Sequence, residues 1–451
     1  VAQRALVIGA GWAGLAAAVG LCEGGADVTL VEAAAEPGGR ARALALDWDG
    51  QPVSVDNGQH LLIGAYRSTL ALLARVGVPA DTVLERRPMR LSDPLGLDWR
   101  AWPLPAPWHL AAGLLAARGL SAGERWALAT AMHGLRHGGP STVAEGTTVA
   151  AWLAARHQPA ALVRRIWEPL AVGALNTPIE RACARTFARV LCDALLVERS
   201  GADFLLPRGT LGDVLPAPAA RWLATRGAGL RTRTACRALQ RLPDGRWRAV
   251  TDAGALDADR VVLAVPPLQA ARLLESVAAP ERLRPLRAFE HETIATVWLG
   301  WREPVDLPPV TMLNAGDRAD AWGQWLFARP AAAGPAVSAV AGVVVSAAGR
   351  TGASIEVLAD AVARQVARQL RRPVPTHRRA VVEKRATIRC SPDRPRVGAG
   401  LLADVAPGLA LAGDWAWPDY PATLEAAVRS GDAASAWLRA GPAGAGPRAS
   451  A

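Results

Sequence analysis

The chain has 451 residues, 51% apolar and 20% charged, with a formal net charge of +11. At about 150 residues per domain this length predicts two or three domains, and the apolar content excludes a disordered chain and permits a large core. Arginine carries nearly all the positive charge, since Lys384 is the single lysine, and its scatter without a recognition motif argues against nucleic acid as a partner.

No stretch reads as a membrane-spanning helix, because the charge-free run from 330 to 349 holds Pro330 and Pro335. The five cysteines, Cys22, Cys183, Cys192, Cys236 and Cys390, show neither a CxxC nor metal-ligand spacing. Reduced, buried thiols in a cytoplasmic protein and no bound metal are expected. The chain passes from Gln3-Arg4 straight into an apolar run, so no secretory signal is expected.

Residues 5–8 form a short continuous apolar run, the pattern of a buried parallel strand. Gly9-Ala10-Gly11-Trp12-Ala13-Gly14 follows at once, then an alanine-rich helical stretch to about residue 23. Gly24-Gly25 ends that helix, residues 27–31 read as a second strand, and Glu32 closes it. Strand, glycine turn, helix, strand and acid stand in the order of a dinucleotide-binding unit. Gly9 permits the tight turn, Gly11 lets a pyrophosphate approach the backbone, and Gly14 lets the helix pack close to the sheet. The helix start offers free N–H groups and a positive dipole end to the phosphates. Glu32 is placed to accept hydrogen bonds from the ribose hydroxyls.

Glu36-Pro37-Gly38-Gly39-Arg40-Ala41-Arg42 comes next. It resembles the second signature of the flavoprotein family that includes amine oxidases and phytoene desaturases. The resemblance implies FAD, with Gly38 and Gly39 passing over its pyrophosphate and Arg40, beside Arg42, neutralising it. Towards the other end, residues 409–412 read as a buried strand that runs into Gly413-Asp414 and then a helix over 422–431. The family carries Gly-Asp at this point, its acid bonding the ribityl chain or the pyrophosphate. The following helix start, at Thr423 and Leu424, faces the flavin ring, where its dipole stabilises negative charge. Between these motifs, residues 258–267 read as a central strand that ends beside the cofactor at Ala264. Residues 232–242 and 245–251 read as a strand pair about a Pro243-Asp244-Gly245 turn. The family has a backbone contact to adenine near Ala235 or Cys236. Trp12, Ala13, Gly58, Gln59 and His60 complete the implied cofactor contacts.

The expected fold class is α/β: a Rossmann-like FAD-binding domain of the glutathione-reductase and amine-oxidase type, interleaved with an α+β substrate domain. The cofactor domain is expected over 1–64, 200–280 and 385–440, and the substrate domain over 65–199 and 281–384. Residues 441–451 read as a disordered tail. In the first insertion Ser121-Ala122-Gly123-Glu124 is a capping box, Gly138-Gly139-Pro140 ends its helix, and Thr148 caps another. The second insertion predicts strands over 294–301, 322–328 and 336–347 and a helix over 353–370. The 99–120 segment sets tryptophans beside arginines, then an apolar helix-like run. That suits a membrane interface or the wall of a hydrophobic tunnel.

Asp56-Asn57-Gly58-Gln59-His60-Leu61-Leu62-Ile63-Gly64-Ala65-Tyr66 and Trp167-Glu168-Pro169-Leu170-Ala171-Val172-Gly173-Ala174-Leu175-Asn176-Thr177-Pro178 sharpen the resemblance. Both are similar to the squalene-associated branch of the family, the hydroxysqualene dehydroxylases of hopanoid synthesis. Leu205-Leu206-Pro207-Arg208-Gly209-Thr210-Leu211 and the 421–431 helix entry agree. The resemblance covers almost the whole chain. It implies that reduced FAD removes the allylic hydroxyl of hydroxysqualene, giving squalene and water. Such a protein is expected on the inner face of the cytoplasmic membrane, with association to other squalene-pathway enzymes open to it.

Loss of an allylic hydroxyl leaves a delocalised cation. The site must therefore protonate the leaving oxygen, exclude water and orient the chain. His60 is a candidate acid for its pKa range, Glu168 for its apolar helix. Asn176 is a candidate for orienting the hydroxyl. Two competing readings are a carotenoid-type desaturase or amine oxidase, and a non-catalytic FAD-bound scaffold of a squalene-synthesising assembly. An amine oxidase needs an aromatic cage, for which Trp415, Trp417 and Tyr420 are at hand, and a lysine at the flavin, for which only Lys384 exists.

Overall fold

The computed structural model describes residues 2–314 and 318–440. The tail expected over 441–451 lies outside them.

Five parallel strands form the central sheet, in the order Gly229–Arg231, Asp27–Val31, Arg4–Ile8, Arg260–Leu263 and Leu409–Leu411. The inner strands are covered on both faces, which is why they read as unbroken apolar runs. Ala5, Val7 and Val262 face one core, and Leu6, Ile8, Val261 and Leu263 face the other. The edge strand Gly229–Arg231 has no buried residue, and no apolar run announces it in the sequence.

Helix Trp12–Glu23 covers the first face and is buried at ten of its twelve positions. It is apolar all round because it lies between the sheet and the C-terminal helix Leu424–Ala440. Small residues let those two helices touch. A Cβ on Gly431 would lie 2.2 Å from the Ala13 carbonyl oxygen, and one on Gly20 would lie 2.3 Å from Ser435 Oγ. The second face carries an antiparallel meander, Cys236–Arg241, Trp247–Thr251 and Gly254–Ala258. The predicted strand over 232–242 starts later than expected, because Arg233 takes a positive φ of 51° and breaks the extension.

A second, antiparallel sheet runs Val310–Met312, Trp325–Ala328, Ala339–Val345, His291–Trp301, His377–Ile388. Helix Ile355–Leu370 packs on it through Leu358, Val362 and Val366, and Ser354 caps that helix. A hairpin, Ala43–Trp48 with Gln51–Asp56, leads from the nucleotide-type unit towards this sheet. The remainder of the first insertion is largely helical. The Ser121–Glu124 capping box starts helix Ala122–Gly138, Gly139 at φ +65° ends it, and Thr148 caps Val149–Ala155. Trp152, Trp167 and Phe187 form an edge-to-face cluster in its core. Two π turns interrupt this layer, at Val163–Trp167 and Cys192–Leu196. Among the described residues no helix is long and apolar enough to cross a membrane. All five cysteines are free.

Candidate functional site

The glycine turn sits at the C-terminal edge of the parallel sheet. Gly9 has φ +101°, and a Cβ there would lie 2.4 Å from the Ala264 carbonyl oxygen. A Cβ on Gly14 would lie 1.9 Å from the Gly9 carbonyl oxygen. Gly9 N donates to Val31 O, and Ala264 N to Ile8 O, each at 2.8 Å. These contacts pin the turn between neighbouring strands. Gly11 differs: the nearest atom to a Cβ there is Gly39 Cα at 3.9 Å, so open space stands before it. Helix Trp12–Glu23 has no side-chain cap and no acid in its first turn. Its first N–H groups are therefore left for a ligand.

Gly38 at φ +120° and Gly39 at φ +62° fold the second loop onto the first, and Gly38 N donates to Ala10 O at 2.8 Å. The Glu32 carboxylate accepts from Ala10 N and Ala34 N, each at 2.8 Å. Each oxygen keeps a further lone pair for a ribose hydroxyl. Thr234 N donates to Glu32 O and Arg233 N to Ala34 O, which lays the segment before Cys236 beside the acid. The Cys236 thiol is pushed up to about 11 by burial. Free donors at a helix start, room before Gly11 and the spare lone pairs of Glu32 together fit an adenosine pyrophosphate.

The two flavin-type motifs meet here. Arg40 Nη2 donates to Asp414 Oδ1 at 2.7 Å, and Arg40 Nη1 donates to Ala386 O. Arg42 Nη1 donates to Gly39 O at 2.7 Å. Trp12 Nε1 donates to Ala41 O at 3.3 Å, which ties the helix start to the same loop. Gly413 N donates to Ser430 Oγ at 2.9 Å, and Thr423 Oγ1 caps the C-terminal helix by accepting from Ala426 N at 3.2 Å.

A cavity of about 310 Å³ adjoins this point. Its polar lining includes Arg40, Asn57, Gln59, His60, Asn176, Asp193, Glu383, Thr387, Tyr420 and Thr423, and its apolar lining includes Leu61, Ile63, Met89, Leu91, Trp99, Leu170, Phe187, Phe204, Trp325 and Phe327. His60 Nδ1 lies 2.7 Å from the Gly58 carbonyl oxygen. A carbonyl only accepts, so Nδ1 bears the proton and Nε2 of the neutral ring is an acceptor. Burial holds the His60 pKa below its usual range despite that hydrogen bond. At neutral pH the ring thus has no proton to spare, which argues against His60 as the acid.

Asn176 lines the cavity but is occupied. It ends helix Glu168–Leu175 in the left-handed region, φ 45°, where asparagine is better tolerated than most residues. Its Nδ2 donates to Thr387 Oγ1 at 2.8 Å, and its Oδ1 accepts from Ala347 N at 3.1 Å. It fastens two cavity segments together. Glu168 does not line the cavity, although burial raises its pKa. Of the amine-oxidase features only Tyr420 lines the cavity. Trp415 packs on Phe289 and donates to Val265 O, and neither it nor Trp417 lines the cavity. Lys384 is exposed and also absent from the lining.

Three residues to which the sequence assigns no role, Arg329, Asp56 and Glu425, hold the site in shape. Arg329 and Asp56 form a buried ion pair at 2.9 Å. Arg329 Nη1 also donates to Gln59 Oε1 at 3.1 Å, while Asp56 Oδ1 accepts from Leu211 N at 2.7 Å. Gln59 N donates to Thr296 Oγ1 and Gln59 Nε2 to His60 O. The 56–60 loop is thus gripped by several elements. Only the isolation of Arg329 before a charge-free run could have marked it. The fully buried Glu425 accepts from Ser68 N, Thr69 N, Thr69 Oγ1 and Arg429 Nε within 3.0 Å. It caps helix Arg67–Arg75 from the first turn of another helix.

The family model for flavin containing amine oxidoreductase matches residues 12–438, and the chain belongs to that family. It is an FAD-dependent oxidoreductase. Over 95% of its length it is 29% identical to hydroxysqualene dehydroxylase of Rhodopseudomonas palustris, covering 96% of that protein. It is 27% identical to hydroxysqualene dehydroxylase of Sinorhizobium fredii, with 95% and 96% of the two chains covered. In structure it is similar to putrescine oxidase bound to putrescine, with a TM-score of 0.69, 15% identity and 97% and 98% of the chains covered. It is likewise similar to cyclohexylamine oxidase from Brevibacterium oxydans, with a TM-score of 0.66, 16% identity and 97% and 99% covered.

Proposed function

We propose that the protein is a hydroxysqualene dehydroxylase, releasing squalene and water from hydroxysqualene. The cavity carries this reading. A mostly apolar lining that also carries polar groups, Arg40 and Thr423 of the flavin motifs among them, suits a hydrocarbon bearing one hydroxyl. Trp415, Trp417 and Lys384 stand outside the lining, which weighs against an amine.

In this reading residues 1–64, 200–280 and 385–440 form the cofactor domain. Gly9, Gly11, Trp12, Ala13 and Gly14 hold the FAD pyrophosphate, with Gly38, Gly39, Arg40, Arg42, Gly413 and Asp414 on its other side. Glu32 holds the ribose, and the backbone at Cys236 the adenine. Ala264, Gly58, Gln59, His60, Thr423 and Leu424 border the ring. Reduced FAD, when bound, supplies two electrons and a hydrogen to the carbon that loses oxygen. The apolar walls keep water from trapping the allylic cation. His60 Nε2 accepts from the substrate hydroxyl and orients it. Asn176 keeps the cavity segments at 347 and 387 in place.

The same reading puts the protein on a membrane surface. Helix Trp108–Leu115 packs inward through Leu110, Gly113 and Leu114, and a Cβ on Gly113 would lie 2.1 Å from Arg100 O. Its outer face leaves Trp108 66% and Leu115 76% exposed, and Trp126 on the neighbouring helix is 73% exposed. The exposed Arg100 and Arg118 stand on either side of this helix in the sequence. Trp99, on the strand beneath, is buried and lines the cavity. This supports a short path for a lipid from surface to cavity.

The test is an anaerobic single turnover. Chemically reduced, FAD-loaded protein mixed with hydroxysqualene is expected to yield stoichiometric squalene and an oxidised flavin spectrum. No squalene, with flavin reduction by amines or phytoene instead, would overturn the assignment.

A further inference from the structure

Tyr420 and Asp193 meet in the cavity near Pro421, Thr423 and Leu424. Tyr420 is buried, and its hydroxyl donates to Asp193 Oδ2. The same oxygen accepts from Arg189 Nε at 3.0 Å. Asp193 sits in the π turn Cys192–Leu196, a distortion common at functional sites. Its side chain remains 23% exposed, so protons from solvent can reach it. Two guanidinium groups face the Tyr420 ring, Arg429 at 4.6 Å and Arg189 at 5.9 Å from its centroid. Arg394 Nη2 holds the Tyr420 carbonyl at 2.7 Å, and Arg429 is itself paired with Glu425.

We propose that Tyr420 delivers the proton that departs with the substrate hydroxyl, and that Asp193 resupplies it. The proposal rests on the hydroxysqualene reading and names its acid. The substrate C–O bond breaks, and its electron pair goes to oxygen. The Tyr420 Oη–H bond breaks, and its proton makes the second O–H bond of water. In the same step protonated Asp193 passes its proton to Tyr420 Oη. The pair ends as a neutral phenol donating to a carboxylate, the arrangement in the structure. Reduced FAD, when bound, would supply the hydrogen and two electrons that the electron-deficient carbon needs. Asp193 then regains a proton from solvent. Charge that builds on the phenol oxygen during the transfer is offset by Arg429 and Arg189. His60 cannot replace Tyr420, because its free nitrogen is an acceptor. Tyr66 is the only other tyrosine, and burial together with Glu425 holds its phenol above the usual range.

Wild type, Tyr420→Phe and Asp193→Asn proteins, loaded with FAD and reduced anaerobically, are mixed with hydroxysqualene. Tyr420→Phe is expected to form squalene about 10²–10⁴-fold more slowly, with an unchanged flavin spectrum and unchanged substrate affinity. Asp193→Asn, which cannot pass a proton on, is expected to form squalene slowly as well, with FAD still bound. A second readout needs no turnover. On a Tyr66→Phe background Tyr420 is the sole tyrosine, and tyrosinate absorbance follows it alone. Adding Asp193→Asn lowers the ionisation midpoint, because a carboxylate beside the phenol opposes phenolate formation. Full-speed squalene formation by Tyr420→Phe beside an active wild type overturns this proposal alone. No squalene from wild type overturns the hydroxysqualene reading and the proposal with it. An unmoved tyrosinate midpoint overturns the role of Asp193.

Discussion

Arg40 and Asp414 stand 374 positions apart and meet at 2.7 Å. One belongs to the loop after the second strand, the other to the loop after the last strand of the parallel sheet. Their contact brings both ends of the chain to one spot. The Arg40 side chain stays 39% exposed and that of Asp414 10%, so the pair presents the guanidinium to a ligand while the acid is held beneath. Arg40→Ala is expected to weaken FAD binding by about 1.5–3 kcal/mol, the range for a lost charge-assisted hydrogen bond. Arg40→Lys keeps the charge but loses the fork and should fall between. Flavin fluorescence on dilution measures both. Equal affinity in all three proteins would remove Arg40 from the pyrophosphate site.

Glu32 does two jobs, and one substitution should report both. Its carboxylate holds Ala10 N and Ala34 N and has lone pairs left for a ribose. Glu32→Ala is expected to weaken FAD binding by about 1–3 kcal/mol. It should also lower the melting temperature of the flavin-free protein, since two backbone donors lose their acceptor. Titration and calorimetry separate the effects. An unchanged melting temperature would mean that water replaces the carboxylate at no cost.

His109 predicts a pH dependence. It is fully buried, and among the described residues neither ring nitrogen has a hydrogen-bond partner. Burial, reinforced by Arg199, holds its pKa below the usual value. The unfolded chain therefore binds the proton more readily, with a pKa near ~6.5. Stability from the neutral ring is complete above that value and is lost as pH falls through the lower folded value. His60 and His291 are shifted the same way. Urea melts should show falling stability below about pH 6.5. His109→Leu should flatten that fall and add about 1–2 kcal/mol at any pH, by removing an unsatisfied buried polar group. A destabilised leucine variant would show that the ring is better packed than its missing partners suggest.

The nucleotide-type unit was legible because its signals are local: a strand, a glycine turn and an acid within thirty-odd positions. The Ser121 capping box was legible for the same reason. The hairpin that ends at Asp56 carries its own local signal, Asp49-Gly50, with φ of 54° and 72°. Glu168 looked well placed on an apolar helix. The π turn Val163–Trp167 just before it shifts the helical phase, and no residue spacing reveals such a turn. His60 was legible as a cavity residue but not as a neutral one, because that depends on the Gly58 carbonyl and on burial. Arg329 with Asp56 and Glu425 with Thr69 span 273 and 356 positions. Contacts of that separation follow from the tertiary fold and leave no periodic trace.

The exposed apolar face around helix Trp108–Leu115 yields the last prediction. Trp108 and Leu115 share one side of that helix, while Leu110 and Leu114 are buried on the other. Trp126 stands beside them on the next helix, and the three are among the most exposed large apolar side chains of the described residues. Substituting all three with glutamine removes little internal packing, so folding and FAD content should be unchanged. Each side chain lost from a lipid interface is expected to cost about 1–2 kcal/mol of membrane affinity. The triple variant should therefore bind anionic liposomes at least ~100-fold more weakly, as read by co-sedimentation. Added salt should weaken wild-type binding only partly, since arginines such as Arg100 and Arg118 supply a screened contribution and the apolar face an unscreened one. The cavity gives the measurement a functional arm. Trp99, on the strand packed against this helix, lines the cavity. Turnover of hydroxysqualene presented in liposomes should then fall with membrane binding, whereas turnover of detergent-solubilised substrate should not. Equal loss in both assays would show that the three residues act on the cavity itself and that the lipid enters by another route.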